Sequence, residues 1–119
     1  MEINNKNIVR IVLKSNEYHE YFNSLDRRTQ EKYDYTINIM QTQKVVNEKF
    51  VKKLQNSDFY EVRVSIGTNE HRTILATADN PNFQLATRIV LLNSFLKKDE
   101  KQYRREIEKA ITIINNMEE

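Results

Sequence analysis

The sequence predicts an α+β fold with an amino-terminal strand and helices, an antiparallel strand meander and a carboxy-terminal helix. Apolar residues recur at helical spacing between residues 15 and 54. They alternate with polar residues between residues 59 and 66 and return to helical spacing between residues 99 and 117. With one glycine and one proline in 119 residues, most of the chain must form regular structure.

Length and composition predict a single domain over residues 1–119, and they exclude several kinds of functional site. The net charge of +2 is mildly basic and does not by itself identify a nucleic-acid-binding protein. The absence of cysteine excludes disulfides and thiol catalysis. The two histidines belong to no metal-ligand motif, so we expect no metal and no other cofactor.

The sequence contains no membrane or export signal. No apolar run approaches the ~20 residues that a bilayer-spanning helix requires. The amino terminus lacks the basic-then-apolar layout of a signal peptide. We therefore expect a cytoplasmic protein that does not contact a membrane.

The first half of the chain predicts one strand and three helices. Residues 7–14 hold five aliphatic residues and should form a largely buried strand. Ser15 and Asp26 are suited to cap two helices. The inward residues would be Tyr18, Tyr21, Phe22 and Leu25 in the first helix, and Tyr33, Ile37 and Met40 in the second. A weaker third helix is expected around residues 49–54, with Phe50, Val51 and Leu54 inward and Lys49, Lys52 and Lys53 outward.

The second half predicts three strands and a helix. Alternation over residues 59–66 places Glu61 and Arg63 on the face away from the main core, and Gly67 can close a hairpin. Residues 89–92 are apolar on both faces, which indicates a central strand. Asp99 should cap the last helix. Its apolar stripe would comprise Tyr103, Ile107, Ala110, Ile111, Ile114 and Met117.

The three strands would bring four cationic residues together on one part of the sheet: Arg63, Arg72, Lys97 and Lys98. Charged residues are rarely placed inside strands merely to fold them. Guanidinium groups grip phosphate oxygens in pairs and stay charged at any working pH. The cluster therefore favours a phosphate-bearing polymer as ligand, and RNA in particular.

Metal-free cleavage of RNA requires activation of the 2′-hydroxyl, neutralisation of charge on the phosphorane and a proton for the leaving oxygen. Arginine and lysine suit the second task. Glu61 lies two positions from Arg63 on the same strand face, where it could orient that guanidinium or act as a base. His71 should point to the opposite face. The alternative is that Glu61 and Arg63 form an ordinary surface salt bridge.

Four segments together carry a family resemblance: residues 60–63 (YEVR), the pair His71-Arg72, residues 92–98 (LNSFLKK) and residues 105–110 (REIEKA). Their order and spacing resemble the RelE/HigB superfamily of type II toxin–antitoxin toxins, and most closely its phage-derived HigB-like branch. The resemblance extends from the first strand to the last helix.

This resemblance implies a microbial-RNase-type fold and a toxin that cleaves mRNA in the ribosomal A site without a metal. It implies that Arg63 and Arg72 contact the scissile phosphate and that basic residues near the last strand hold RNA or ribosome. It also implies neutralisation by a small helix-turn-helix antitoxin, through which alone operator DNA is contacted. Asn93-Ser94 and residues 99–102 depart from the family pattern, so the general acid and base remain open among Glu61, Lys98 and Tyr103.

The predicted site therefore has two parts. The catalytic candidates are Arg63, Arg72, Glu61 and Lys98, and the candidates for binding RNA and ribosome are Lys49, Lys52, Lys53, Lys97 and Tyr103. Two other functions stay open, because one fold can host several activities. The chain could be a ParE-like toxin that inhibits DNA gyrase without chemistry of its own, or an inactive relative that only binds its antitoxin.

Overall fold

A computed structural model shows a five-stranded sheet with helices on both faces, which confirms the predicted α+β class. The structure describes residues 7–117. The first six residues, on which the expectation of no signal peptide rests, and residues 118–119 lie outside the described residues. The strands are β1 (Ile11–Lys14), β2 (Val51–Lys53), β3 (Tyr60–Ile66), β4 (Asn69–Thr77) and β5 (Arg88–Leu96). The helices are α1 (Asn16–Asn23), α2 (Arg27–Thr42) and α3 (Gln102–Met117).

The sheet has the strand order β1-β5-β4-β3-β2, and β1 pairs with β5 in parallel while the other pairs are antiparallel. The β3–β4 hairpin turns at Gly67, whose φ of +58° is a conformation that glycine adopts without steric penalty. Its register places Arg63 directly opposite Arg72. The apolar strand β5 is flanked on both sides, as predicted.

The two faces of the sheet carry separate hydrophobic cores. One core packs beneath α1 and α2, and it contains Tyr18, Tyr33, Met40, Val62 and Leu91 among other residues. The other packs beneath α3, and it contains Ile74, Leu92, Phe95, Ala110 and Ile113 among others. Alternation along β3 therefore puts Glu61 and Arg63 on the α3 face, away from the larger core as predicted. Among residues 7–117, no helix is long and apolar enough to cross a membrane.

All three predicted helix caps are found. The Ser15 hydroxyl accepts a hydrogen bond from the Tyr18 amide at 3.0 Å, and the Asp26 carboxylate accepts one from the Thr29 amide at 2.9 Å. Asp99 and Gln102 bond reciprocally, each side chain accepting from the other residue's amide at 3.1–3.2 Å. This exchange is a capping box, and it fixes the start of α3 beside the end of β5.

The predicted third helix is wrong, because its centre forms strand β2. Val51 pairs with Val62, and the Phe50 carbonyl accepts a hydrogen bond from the Arg63 amide at 2.8 Å. A helix of this length is marginal without packing, whereas the free edge of β3 supplies backbone partners at once. Three apolar residues at helical spacing were too few to separate the two structures.

Two burial predictions also fail. Strand β1 was expected to be buried, yet Ile11 and Leu13 are each 51% exposed, because β1 is an edge strand. In α3, Ile111 and Met117 were expected in the apolar stripe but are exposed, and Glu106 is buried instead. Counting apolar residues cannot find Glu106, since its burial depends on a hydrogen-bonding partner in the sheet.

A buried arginine that the sequence did not single out joins β1 to α2 and to the segment before β5. Arg10 is 1% exposed, and its guanidinium stacks 4.5 Å from the Phe83 ring centroid. All five of its N–H groups donate to backbone carbonyls at 2.6–3.1 Å. The acceptors are Met40, Gln43, Lys44, Phe83 and Gln84. Burial lowers the pKa of Arg10.

We expect Arg10→Met to lower the free energy of unfolding by about 3 kcal/mol or more, because it leaves five buried or partly buried hydrogen bonds unmade. Arg10→Lys should also destabilise, since an ammonium group offers three donors in place of five. Urea denaturation measures both. The control is Arg27→Met, at an exposed arginine paired with Glu31, which should change stability by no more than about 0.5 kcal/mol. Equal effects at Arg10 and Arg27 would contradict the assigned role.

Candidate active groove

A groove runs between the start of α3 and the β2–β3 edge of the sheet, with a volume of about 350 Å³. It is lined by Lys52, Lys53, Leu54, Gln55, Glu61, Arg63, Lys97, Glu100, Tyr103 and Ile107. We call it the active groove. Strands β2 and β3 supply one wall, and the capped start of α3 supplies the other. Four cationic side chains and two carboxylates line it, so the groove is positive.

The Glu61 carboxylate lies at the centre of the interactions in this groove. Its Oε1 accepts a hydrogen bond from the Tyr103 hydroxyl at 2.6 Å and lies 3.5 Å from Arg72 Nε. Its Oε2 lies 3.5 Å from Arg63 Nε. Glu61 is buried, so its ion pair with Arg63 is not the ordinary surface salt bridge considered as the alternative, and it belongs to a largely buried network.

Arg72 contacts the Glu61 carboxylate but does not line the active groove. It is only 3% exposed. Its Nη1 donates to the His71 carbonyl at 3.0 Å and lies 3.2 Å from the Glu70 carboxylate. A guanidinium held by two carboxylates below the surface is well placed to orient Glu61. A ligand that enters the groove meets Arg63 before Arg72.

Arg63 is the arginine that a ligand can reach, because its side chain is 30% exposed. It also lines a second hollow on the sheet edge, together with Lys32 and Lys49. Arg63 thus connects the active groove to a neighbouring basic surface. Like charges directly opposite on paired strands repel, so the Arg63–Arg72 pair depends on the carboxylate between them.

The structure brings most of the predicted site residues together. Those that line the active groove are Glu61, Arg63, Lys52, Lys53, Lys97 and Tyr103. Lys49 lines the neighbouring hollow instead. Lys98 is exposed and lines neither surface, whereas the adjacent Lys97 faces the groove and pairs with Glu100 at 3.2 Å. The sequence did not single out Glu70 or Glu100, because neither lies in a motif.

The Tyr103 hydroxyl is held in its neutral form. Burial, followed by the hydrogen bond to Glu61 and the charge of that carboxylate, raises the pKa of Tyr103 well above its usual range. A phenol with a raised pKa donates a hydrogen bond at neutral pH and does not act as a base. Tyr103 therefore orients Glu61 from the α3 side while Arg72 does so from the sheet.

His71 lies on the opposite face of the sheet, as predicted. Its Nδ1 is 2.7 Å from the Tyr21 hydroxyl, and its ring packs edge-on against Tyr21 and Tyr33. Burial lowers the pKa of His71, which keeps the imidazole neutral at pH 7. It therefore cannot contact a ligand in the active groove.

Comparison with known proteins identifies the family. The sequence profile of the family described as "Phage derived protein Gp49-like (DUF891)" matches residues 20–115, a range that includes every residue of the active groove. The chain belongs to this family. It is a RelE/ParE-like toxin family of toxin–antitoxin systems, so the predicted toxin family is confirmed at this level. No curated protein and no solved structure is significantly similar to the chain.

In the Gp49-like protein we expect Tyr103 to make stability depend on pH. A raised folded-state pKa stabilises the fold below the unfolded phenol's pKa of about 10, and this stabilisation is lost as pH rises above it. The difference in unfolding free energy between wild type and Tyr103→Phe should therefore shrink as pH rises through 10, by less than about 1.4 kcal/mol per pH unit. Urea denaturation at pH 9, 10 and 11 measures it. A difference that stays constant over this range would contradict the Tyr103–Glu61 contact.

Proposed function

We propose that the active groove binds the RNA backbone and cleaves it without a metal. The Gp49-like protein would then be a ribosome-dependent mRNA endoribonuclease toxin, of the HigB-like branch. The observation that carries this proposal is the partly exposed Arg63 held by a buried carboxylate that Arg72 and Tyr103 fix from two sides. A charge-fixing network of this kind suits a site where negative charge develops during reaction.

The charges of the active groove support a phosphate ligand. Arg63 offers planar N–H donors that match two phosphate oxygens. Lys52 and Lys97 line the same groove and can neutralise adjoining phosphates. A phosphate that binds Arg63 competes with Glu61 for that guanidinium. When the phosphate replaces Glu61 there, Arg72 keeps the Glu61 carboxylate in place.

The proposed reaction uses residues on both walls of the groove. The 2′-oxygen attacks phosphorus while its proton passes to Glu61, and a 2′,3′-cyclic phosphate forms. The bond from phosphorus to the 5′-oxygen breaks, and Lys97 gives that oxygen a proton. Arg63 stabilises the charge on the phosphorane. Arg72 and Tyr103 act as positioning residues, because both hold Glu61: Arg72 from outside the groove lining and Tyr103 from its α3 wall.

Partners follow from the same proposal. Membership of a toxin family implies a cognate antitoxin. We propose that this antitoxin is a small helix-turn-helix protein, that operator DNA is contacted only through it, and that the toxin acts in the cytoplasm. Lys49, Lys52 and Lys53 are exposed along the sheet edge, where they can contact ribosomal RNA as sequence-independent phosphate contacts.

Replacing Arg63 tests the proposal most simply. We expect Arg63→Ala to slow mRNA cleavage by about 10²–10³-fold, the usual effect of losing one donor to a developing oxyanion. Growth arrest on induction should disappear at an equal protein level. The matched control is Arg105→Ala, an exposed arginine on α3 outside the groove, which should remain fully toxic.

Two results would overturn the proposal. If Arg63→Ala stays as toxic as Arg105→Ala, the groove is not the active site. If the wild type arrests growth by blocking DNA replication while mRNA stays intact, the ParE-like gyrase inhibitor is the better assignment. A wild type that binds an antitoxin but never arrests growth would indicate the inactive relative.

Two neighbouring lysines test whether the groove, and not the adjacent surface, carries the activity. We expect Lys97→Ala to reduce the rate of mRNA cleavage by about tenfold or more, because it removes a cation from the groove. Lys98→Ala should leave the rate within about twofold, since Lys98 does not line the groove. Cleavage assays with purified protein and translating ribosomes measure both rates. The reverse order would restore Lys98 to the catalytic role that the sequence predicted for it.

A further inference from the structure

A second concave surface, made of basic and aromatic side chains, adjoins the active groove at the part of the β3 edge that β2 leaves uncovered. Its volume of about 370 Å³ is close to that of the active groove. Helix α2 supplies Lys32 and Tyr35, the segment that leads into β2 supplies Lys49 and Phe50, and β3 supplies Arg63. We call it the edge hollow. Because Arg63 lines both cavities, a strand that leaves the active groove past Arg63 would enter the edge hollow.

Among residues 7–117, three cations and no carboxylate line the edge hollow. Lys32 Nζ donates to a backbone carbonyl of β3 at 3.1 Å, which leaves two of its N–H donors for a ligand. Lys49 Nζ lies 5.1 Å from the centroid of the Phe50 ring. Of the three cations, only Arg63 pairs with a carboxylate of the described chain, that of Glu61. The net charge of the whole chain is only +2, so the edge hollow is a local excess of positive charge.

An exposed aromatic ring gives a second, independent indication of a ligand. Tyr35 is 58% exposed, and no other Tyr or Phe between residues 7 and 117 belongs to the exposed class. Its neighbours on α2, Tyr33 and Ile37, pack in the core, whereas Tyr35 faces outward. The Tyr35 ring packs edge-on against Phe50 at a centroid distance of 6.4 Å, which holds it beside the hollow. Basic surfaces with exposed aromatic rings are typical of sites that bind single-stranded nucleic acid.

We propose that the edge hollow binds one nucleotide of the substrate strand, next to the phosphodiester that is cleaved. Tyr35 stacks on its base, and Lys32 and Lys49 contact its phosphates. This inference rests on the proposed function, because it takes the substrate strand to lie in the active groove. It moves Lys49 from ribosomal RNA to the substrate. Every base has a π-face on which a ring can stack, so the site should tolerate any base.

The test is an NMR titration of the full chain with a 2′-O-methylated adenosine hexanucleotide, which the proposed reaction cannot cleave because it lacks a 2′-hydroxyl. We expect saturable shifts of the Tyr35 and Phe50 ring signals. Tyr35→Ala should weaken binding about fivefold or more, the usual effect of losing one base–aromatic stack. Tyr35→Phe should bind like wild type, since it keeps the ring. Asn38→Ala, at an exposed position of α2 outside the hollow, should also leave the affinity unchanged.

A matched probe separates stacking from attraction to the phosphates. The same strand without its bases should bind wild type and Tyr35→Ala equally, because a ring has nothing to stack on. Unchanged affinity of Tyr35→Ala for the adenosine strand would overturn the inference. Equal losses in Tyr35→Phe and Tyr35→Ala would do the same, and so would a Tyr35→Ala variant that also loses affinity for the strand without bases.

Two further readouts identify the source of the RNA and keep the two proposals apart. On translating ribosomes, mRNA that carries 4-thiouridine in the codon of the A site should crosslink to the peptide that contains Tyr35. Crosslinks that reach Tyr103 but not Tyr35 would overturn the inference. Shifts at Tyr103 without shifts at Tyr35 in the titration would also refute the edge hollow, and they would leave the nuclease proposal in place. Saturable shifts at Tyr35 in a protein that never cleaves mRNA would refute the nuclease chemistry alone.

Discussion

The arrangement of the site depends on one buried carboxylate between two opposed arginines. Register across the β3–β4 hairpin places Arg63 and Arg72 side by side, and two like charges at this position repel. Glu61 lies 3.5 Å from both guanidinium groups and makes the pair tolerable. It also binds Tyr103, so the same carboxylate connects the sheet to α3. Removing one member of such a buried set leaves an uncompensated charge, which is costly.

This network gives different proposed roles to two arginines that look equivalent in the sequence. Arg72 is buried and paired with Glu61 and Glu70, and in the proposed mechanism it positions its neighbours. Arg63 is partly exposed in the groove, and in the proposed mechanism it exchanges its contact with Glu61 for a phosphate. Positively charged donors that are fixed before the substrate arrives need no reorganisation during the reaction. The burial of Arg72 is therefore part of what would make Arg63 effective.

Much of the fold was predictable, because its determinants are local. Caps at Ser15, Asp26 and Asp99 depend on one side chain and the next turn of helix. Alternation along β3 gave the correct face for Glu61 and Arg63, since the period of a strand is fixed. The same reasoning failed for the segment at Val51. Whether this segment forms a helix or a strand depends on the free edge of β3, which lies elsewhere in the sequence.

The buried polar contacts were not predictable for a related reason. The carbonyls that Arg10 binds come from two segments thirty or more residues away, and no spacing in the sequence marks them. Asn93 and Glu106 likewise become partners only once α3 packs on β5. At the end of β5, a single position decides that Lys97 faces the groove and Lys98 does not. Sequence patterns predict which face of a regular element a side chain occupies. They do not predict the direction of side chains where the element ends.

Mapping the RNA ends that the purified wild-type protein generates on translating ribosomes tests the central claim most directly. We expect cuts within the codon of the ribosomal A site, with a 2′,3′-cyclic phosphate on one fragment and a 5′-hydroxyl on the other. Free mRNA without ribosomes should stay intact over the same period. Uncut mRNA on translating ribosomes, or fragments that carry 5′-phosphates, would contradict the assignment of the active groove to this chemistry.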